Sequence, residues 1–199
     1  MINSSFIYAG ILGYLCGSIP FGLLLTKAAG LGDVRKIGSG NIGATNVLRT
    51  GSRWIAGLTL LLDMVKGFAP VLIASTIWNG DAAIAAGAAA LAGHIFPVWL
   101  RFQGGKGIAT YIGVLAGLHW PFAILFIVVW LAVAVASRKS SLSALAATTI
   151  VAVIGFVMVP GHLSIALLVI GIVIFITHRA NVLRLLRKQE PTISFSNKV

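Results

Sequence analysis

Acidic side chains are scarce: the chain of 199 residues has four, Asp33, Asp63, Asp81 and Glu190, against 15 lysines and arginines. Charged residues of both signs make up only 10% of the chain, where an ordinary soluble domain carries roughly 25%. With 58% hydrophobic residues, that scarcity excludes a soluble domain and indicates an all-α, polytopic membrane protein. The single cysteine, Cys16, excludes an intramolecular disulfide and reads as a buried thiol in an apolar run. No cluster of His and Cys can hold a transition metal, and no cofactor is called for. Aromatic residues lie within apolar runs and are not interleaved with cations, so the net charge of +11 does not point to nucleic acid. In a membrane protein it reports orientation and contact with membrane lipids.

A membrane-crossing helix needs about 20 apolar residues. Such runs occupy residues 5–27, 54–78, 82–100, 142–159 and 163–177. The long run ending at Ala136 divides at His119-Trp120-Pro121 into a short span and a full one. The expectation is a bundle of seven transmembrane helices forming a single domain over residues 1–199. Met1-Ile2-Asn3-Ser4-Ser5 has no basic segment, and the run after it is too long for a signal peptide. Ser18-Ile19-Pro20-Phe21-Gly22 predicts a kink in the first span. Ala82, Ala86, Ala90 and Gly93, and the pair Gly113 and Gly117, predict close helix packing.

The basic residues test this count. Alternating spans put Lys27, Arg35, Lys36, Arg49, Arg53, Arg101, Lys106, Arg138, Lys139 and the tail cations on one side. The turns Asn79-Gly80-Asp81, His119-Trp120 and Pro160-Gly161-His162 on the other side carry no Lys or Arg. By the positive-inside rule the N-terminus is external and the C-terminus cytoplasmic.

Four polar clusters fall on the basic side. The first is Gly38-Ser39-Gly40-Asn41-Ile42-Gly43-Ala44-Thr45-Asn46-Val47-Leu48-Arg49, preceded by Lys36. Its glycines allow close backbone approach, and its amides, hydroxyls and cations suit a phosphate; read alone, such a loop is more often a connector between helices. It matches G-x-G-x-x-G without the strand or βαβ unit of a dinucleotide site. The second, Gly104-Gly105-Lys106-Gly107, opens a helix, where free amides welcome an anion. It is not a Walker A loop, since Gly107 stands where Ser or Thr is needed. The third is Ser141 with Ser143, for which helix capping and ligand contact are both open. The fourth is His178-Arg179-Ala180-Asn181, running on to Arg184, Arg187, Lys188 and Glu190; on a continuing helix His178 and Asn181 share a face. Asp63 and Lys66 lie one turn apart inside the second span and read as a buried structural ion pair. His94 and His119 stand alone in the sequence.

Taken in order, these motifs closely resemble the PlsY family, the membrane glycerol-3-phosphate acyltransferases that use acyl phosphate. The resemblance rests on Gly17-Ser18-Ile19-Pro20-Phe21-Gly22, the cluster ending at Arg49, Asp63-Met64-Val65-Lys66-Gly67, Gly93-His94-Ile95-Phe96-Pro97, Gly104-Gly105-Lys106-Gly107, Ser141-Leu142 and His178-Arg179-Ala180-Asn181. It implies transfer of an acyl group from acyl phosphate to the 1-hydroxyl of sn-glycerol 3-phosphate. The products would be 1-acylglycerol 3-phosphate and phosphate, in the first step of bacterial phospholipid synthesis. It also implies an inner-membrane location with a cytoplasmic site, and the upstream acyl-phosphate-forming enzyme as a partner. The family's essential Ser and Arg fall on Ser39 and Arg49, its phosphate-loop residues on Gly104, Gly105, Lys106 and Gly107, and its His and Asn on His178 and Asn181. Glu190 takes a structural place. Many members carry Gly two residues before that Glu, so Lys188 puts a turn of positive φ there in question. No His has an Asp five positions later, so the His-x4-Asp arrangement of other glycerolipid acyltransferases is absent.

The expected division of labour follows. Ser39, Arg49, Lys106, His178 and Asn181 are the candidate catalytic residues. Gly38, Gly40, Asn41, Gly43, Thr45, Asn46, Gly104, Gly105, Gly107, Ser141 and Ser143 are the candidate substrate contacts. Acyl phosphate is already activated, so positioning and charge stabilisation can carry the chemistry. A phosphate-ester transporter is the rival, but it calls for a midplane site in an inverted repeat, and no repeat is visible.

Overall fold

A computed structural model describes residues 4–159 and 161–193. Met1, Ile2 and Asn3 of the N-terminal segment, and Pro160 of the turn Pro160-Gly161-His162, lie outside the described residues. The described chain is helical throughout and falls into two compact units, Met1–Trp120 and Pro121–Val199.

In the first unit, α1 (Ser4–Gly17) and α2 (Phe21–Ala28) are separated at Pro20, which lacks the N–H needed to continue a helix. The kink expected in the first span is thus a full break. After the loop segments come α3 (Ala44–Val47), the long α4 (Arg53–Ile77) and α5 (Gly80–Ile95). Ser52 caps α4 by accepting from Ile55 N–H at 3.3 Å, and Asn79 caps α5 by accepting from Ala82 N–H at 2.8 Å.

Small residues set how these helices cross. A Cβ on Gly13 would strike the Ala86 carbonyl, one on Gly17 the Ala90 carbonyl, and one on Gly93 the backbone of α1. Backbones in this contact can approach only without side chains between them. The same holds where Gly113 meets Met64 and Gly117 meets Val71, so the glycine pair is a packing surface against α4. Ala9, Val71, Ala74, Ala82, Ala83, Ala86 and Val114 form the apolar centre of this unit.

The helix α6 (Ile108–Ser137) is interrupted at His119, whose φ of −160° and ψ of 89° are extended. Pro121 two residues later accounts for the interruption. In the second unit α7 (Ser140–Met158) packs on α8 (His162–Thr177). The chain then bends by 65° into α9 (Arg179–Leu186). The expected continuing helix through His178 and Asn181 is therefore not present; His178 is the joint between two helices.

Among the described residues five helical stretches, Ser4–Ala28, Arg53–Ile77, Gly80–Leu100, Ile108–Ser137 and Ser140–Met158, are long and apolar enough to cross a membrane. The bent pair α8 and α9 makes a sixth if counted as one. Trp54, 89% exposed at the start of α4, has the amphipathic ring favoured at a membrane interface.

Candidate active site

The first cluster folds around the side chain of Asn46. Its carboxamide nitrogen donates toward the carbonyls of Val34 (2.9 Å), Ile37 (3.1 Å) and Asn41 (2.8 Å), while its oxygen accepts from Ser39 N–H at 3.1 Å. Both ends of this buried amide are engaged with the loop itself. Asn46 is thus a scaffold of the loop. Asn41 is likewise turned inward, accepting from Gly43 N–H at 3.1 Å in the Asx-type turn that leads into α3.

This scaffold leaves Ser39, Gly40, Thr45 and Arg49 on the surface. Gly38 has φ +53°, and a Cβ there would meet Asn46 Oδ1 as well as Arg49 Cδ at 2.5 Å. The glycine allows Arg49 to lie across the loop beside Ser39. Among the described residues of this unit no carboxylate or imidazole is hydrogen-bonded to the Ser39 hydroxyl. Arg35 is differently placed: it grips Asp33, with Nη2 to Oδ2 at 2.6 Å. The hydrogen bonds from the Arg35 side chain and backbone hold the Asp33 carboxyl well below the usual range, and the pairing raises the guanidinium. Arg35 is paired locally with Asp33, while Arg49 and Lys36 are both exposed cations of this loop.

The second loop is built on the end of α5. Gly104 N–H donates to the Ile95 carbonyl and Gly105 N–H to the His94 carbonyl, both at 3.0 Å. These bonds satisfy carbonyls that a helix C-terminus leaves without partners. Gly107, at φ +86°, turns the chain into α6, whose first bond runs from Tyr111 N–H to the Gly107 carbonyl at 2.7 Å. Lys106 is half-buried between these fixed points.

Beneath this loop lies a group that the sequence did not connect to it. Asp63 Oδ1 is 2.7 Å from Lys66 Nζ, which also donates to the Ile19 carbonyl at 2.7 Å, at the break between α1 and α2. His94 Nδ1 stands 3.9 Å from the same Asp63 oxygen. All three side chains are buried. The expected ion pair forms, but His94 is its neighbour and does not stand alone. Asp63 and His94 are far apart in sequence; the available signal was the cost of two charges inside a span, which calls for further polar partners.

In the second unit Glu190 collects the polar side chains. Its Oε1 accepts from Ser141 Oγ and Asn181 Nδ2, each at 2.6 Å, and its Oε2 from Arg184 Nε at 2.8 Å. Burial raises this carboxyl, but the bonds from Ser141, Asn181 and Arg184 outweigh burial and hold it below its ordinary value. Ser141 is neither the helix cap nor exposed; Lys139 holds the capping position without a side-chain bond. Ser143 is fully buried and donates to the Lys139 carbonyl at 2.9 Å. Both serines are bonded at the start of α7, Ser141 to Glu190 and Ser143 to Lys139. His178 is buried with Nδ1 2.8 Å from the Ile174 carbonyl. Only a protonated Nδ1 can donate there, so in the neutral ring Nε2 carries the lone pair.

The glycerol-3-phosphate acyltransferase family profile matches residues 7–188. Relatives named glycerol-3-phosphate acyltransferase include one from Mesorhizobium japonicum, 57% identical over 94% of this chain and 95% of its own length. One from Rhodopseudomonas palustris is 56% identical over 93% and 94%, respectively. Two crystal structures of PlsY, an integral membrane glycerol 3-phosphate acyltransferase, share the fold. The glycerol 3-phosphate form has a TM-score of 0.91 and 37% identity, covering 96% of both chains. The lysophosphatidic acid form has a TM-score of 0.88 and 36% identity, covering 96% of this chain and 95% of the other.

Proposed function

Because this chain belongs to the glycerol-3-phosphate acyltransferase family, we propose that it acylates the 1-hydroxyl of sn-glycerol 3-phosphate with acyl phosphate as the donor. The observation that carries the reading is the likeness to an integral membrane acyltransferase solved with glycerol 3-phosphate and with lysophosphatidic acid. Acyl phosphate as donor is supported by the chemistry of the residues. The loops offer amides and cations, Ser39 has no bonded base within its unit, and phosphate is a good leaving group that needs little further activation.

In the proposed step the 1-hydroxyl oxygen attacks the acyl carbonyl carbon. The bond from that carbon to the phosphate oxygen breaks, phosphate leaves, and the substrate's own phosphate accepts the hydroxyl proton. The donors around Ser39, with Gly38, Gly40, Gly43 and Thr45, bind the acyl phosphate. Arg49 and Lys106 with its glycines bind glycerol 3-phosphate, and positive charge near the carbonyl stabilises the developing oxyanion; His178 and Asn181 are the candidate catalytic residues of the second unit. Asn46, Ser141, Ser143 and Glu190 hold these groups in place, consistent with their inward hydrogen bonds. A covalent acyl-Ser39 intermediate would require an activated nucleophile.

The interruption of α6 at His119 supports reading it as two traverses, giving seven in all. The segregation of Lys and Arg supports an external N-terminus and a cytoplasmic site, and the family likeness supports an inner-membrane location where an upstream enzyme supplies the acyl phosphate. The test is an assay of purified protein with labelled glycerol 3-phosphate and acyl phosphate, acyl-CoA or acyl carrier protein. Product is expected from acyl phosphate alone. No product from that donor overturns the donor, and trapping of an acyl group on Ser39 overturns the direct transfer.

A further inference from the structure

The buried group under the second loop is not accounted for by folding alone. His94 Nδ1 has no hydrogen-bond partner among the described residues, although the ring is buried. A buried polar atom left in this state costs free energy and calls for a reason. The reason lies on the other side of the ring. A Cβ placed on Gly105 would meet His94 Nε2, with Cε1 at 3.0 Å and Cδ2 at 3.1 Å. The Nε2 edge of the imidazole therefore abuts the Gly105 backbone, while the His94 carbonyl accepts the Gly105 N–H at 3.0 Å. One residue thus supports the loop by its backbone and by its side chain. On its far side the ring faces Asp63, which Lys66 neutralises at 2.7 Å, and Lys66 in turn holds the Ile19 carbonyl.

We propose that His94 is a positioning residue for glycerol 3-phosphate: its ring, seated between the Asp63–Lys66 pair and Gly105, holds residues 104–106 in the conformation that binds the substrate phosphate. This rests on the reading that Lys106 and its glycines take glycerol 3-phosphate. The absence of a side chain at Gly105 and the ring edge that abuts it are one fitted contact, so a change in either is expected to displace Lys106. The carboxylate and ammonium behind the ring are fixed on α4, so the ring cannot retreat to make room.

The test is a reciprocal rescue, measured on purified full-length protein. Gly105→Ala is expected to raise KM for glycerol 3-phosphate about tenfold or more, while KM for acyl phosphate stays within about twofold. His94→Ala, which leaves a gap under the loop, is expected to raise the same KM. In His94→Ala/Gly105→Ala the new methyl group fills part of that gap, so the double variant is expected to have a lower KM than either single one. Effects that simply multiply overturn the proposal. If Gly105→Ala does not fold, His94→Ala alone decides: a selective rise in KM for glycerol 3-phosphate supports positioning, and an unchanged KM overturns it. Wild-type turnover measured alongside keeps the two readings apart, because missing rescue in an active preparation removes the positioning role and leaves the proposed reaction standing.

Discussion

The side-chain amide of Asn181 donates to Glu190 Oε1 at 2.6 Å, across the turn that ends α9. The same carboxylate holds Ser141 and Arg184, so it fixes Asn181 relative to the start of α7. Hydrogen bonds to a charged group contribute about 1.5–3 kcal/mol each. Glu190→Ala removes three acceptor contacts at once. It is expected to lower the thermal midpoint and to reduce acyl transfer about tenfold by releasing Asn181. Thermal unfolding in detergent and initial rates measure the two effects; wild-type activity in this variant would mean that Asn181 needs no support.

The same cluster sets an acid limit. The folded-state carboxyl of Glu190 is held below its ordinary value, so its contribution to stability is present above the unfolded carboxyl value of about 4.3. That contribution is lost as pH falls from there through the lower folded value. The wild-type thermal midpoint is therefore expected to fall as pH is lowered from about 5 toward 3, and Glu190→Gln to show a smaller fall over that interval. Equal falls in both proteins would show that Glu190 does not carry the acid sensitivity.

Lys188 has φ +57° at the end of α9, in a Schellman arrangement: Gln189 N–H donates to the Arg184 carbonyl at 2.8 Å and Lys188 N–H to the Leu185 carbonyl at 3.1 Å. The turn of positive φ that the lysine put in question is present, with a residue that has a Cβ. A non-glycine residue there costs about 1 kcal/mol, partly offset by the lower entropy of the unfolded chain. Lys188→Gly is expected to stabilise the protein by up to about 1 kcal/mol without changing kcat. A lower thermal midpoint would mean that the lysine side chain contributes more than its backbone costs.

The apolar runs made the helices legible, because length and hydropathy alone decide what can cross a membrane. The breaks at Pro20 and near Pro121 were legible for the same local reason: proline lacks a donor. The inward turn of Asn46 was not, since carboxamides that bind a ligand and those that bind backbone carbonyls look alike in sequence. Nor was the bend at His178, as nothing in Ile176-Thr177-His178-Arg179 breaks a helix. Long-range partners such as Ser141 and Glu190, or His94 and Asp63, depend on tertiary packing that local pattern does not report.

Asn46 and Arg49 separate scaffold from substrate contact within one loop. Asn46→Asp replaces the donor that serves three carbonyls by a second acceptor. The loop is expected to open, with loss of activity and a lower thermal midpoint. Arg49 is exposed, so Arg49→Ala is expected to leave the thermal midpoint unchanged while reducing transfer by about 100-fold or more. Wild-type turnover in Arg49→Ala would make the loop a connector after all.

The Asp63–Lys66 pair gives a sharper test of what a buried charge is for. Replacing one partner leaves the other charged in an apolar interior, which typically costs about 3–5 kcal/mol. Asp63→Asn and Lys66→Met are each expected to lower the thermal midpoint strongly. Replacing both, as Asp63→Leu/Lys66→Met, leaves no unpaired charge and is expected to recover most of that loss. Stability and function should then part. The double variant still lacks the ammonium that holds the Ile19 carbonyl and the carboxylate behind His94. Its KM for glycerol 3-phosphate is expected to stay raised in a protein that melts near the wild-type temperature. If activity returned together with stability, the pair would be a fold element with no further part in the reaction.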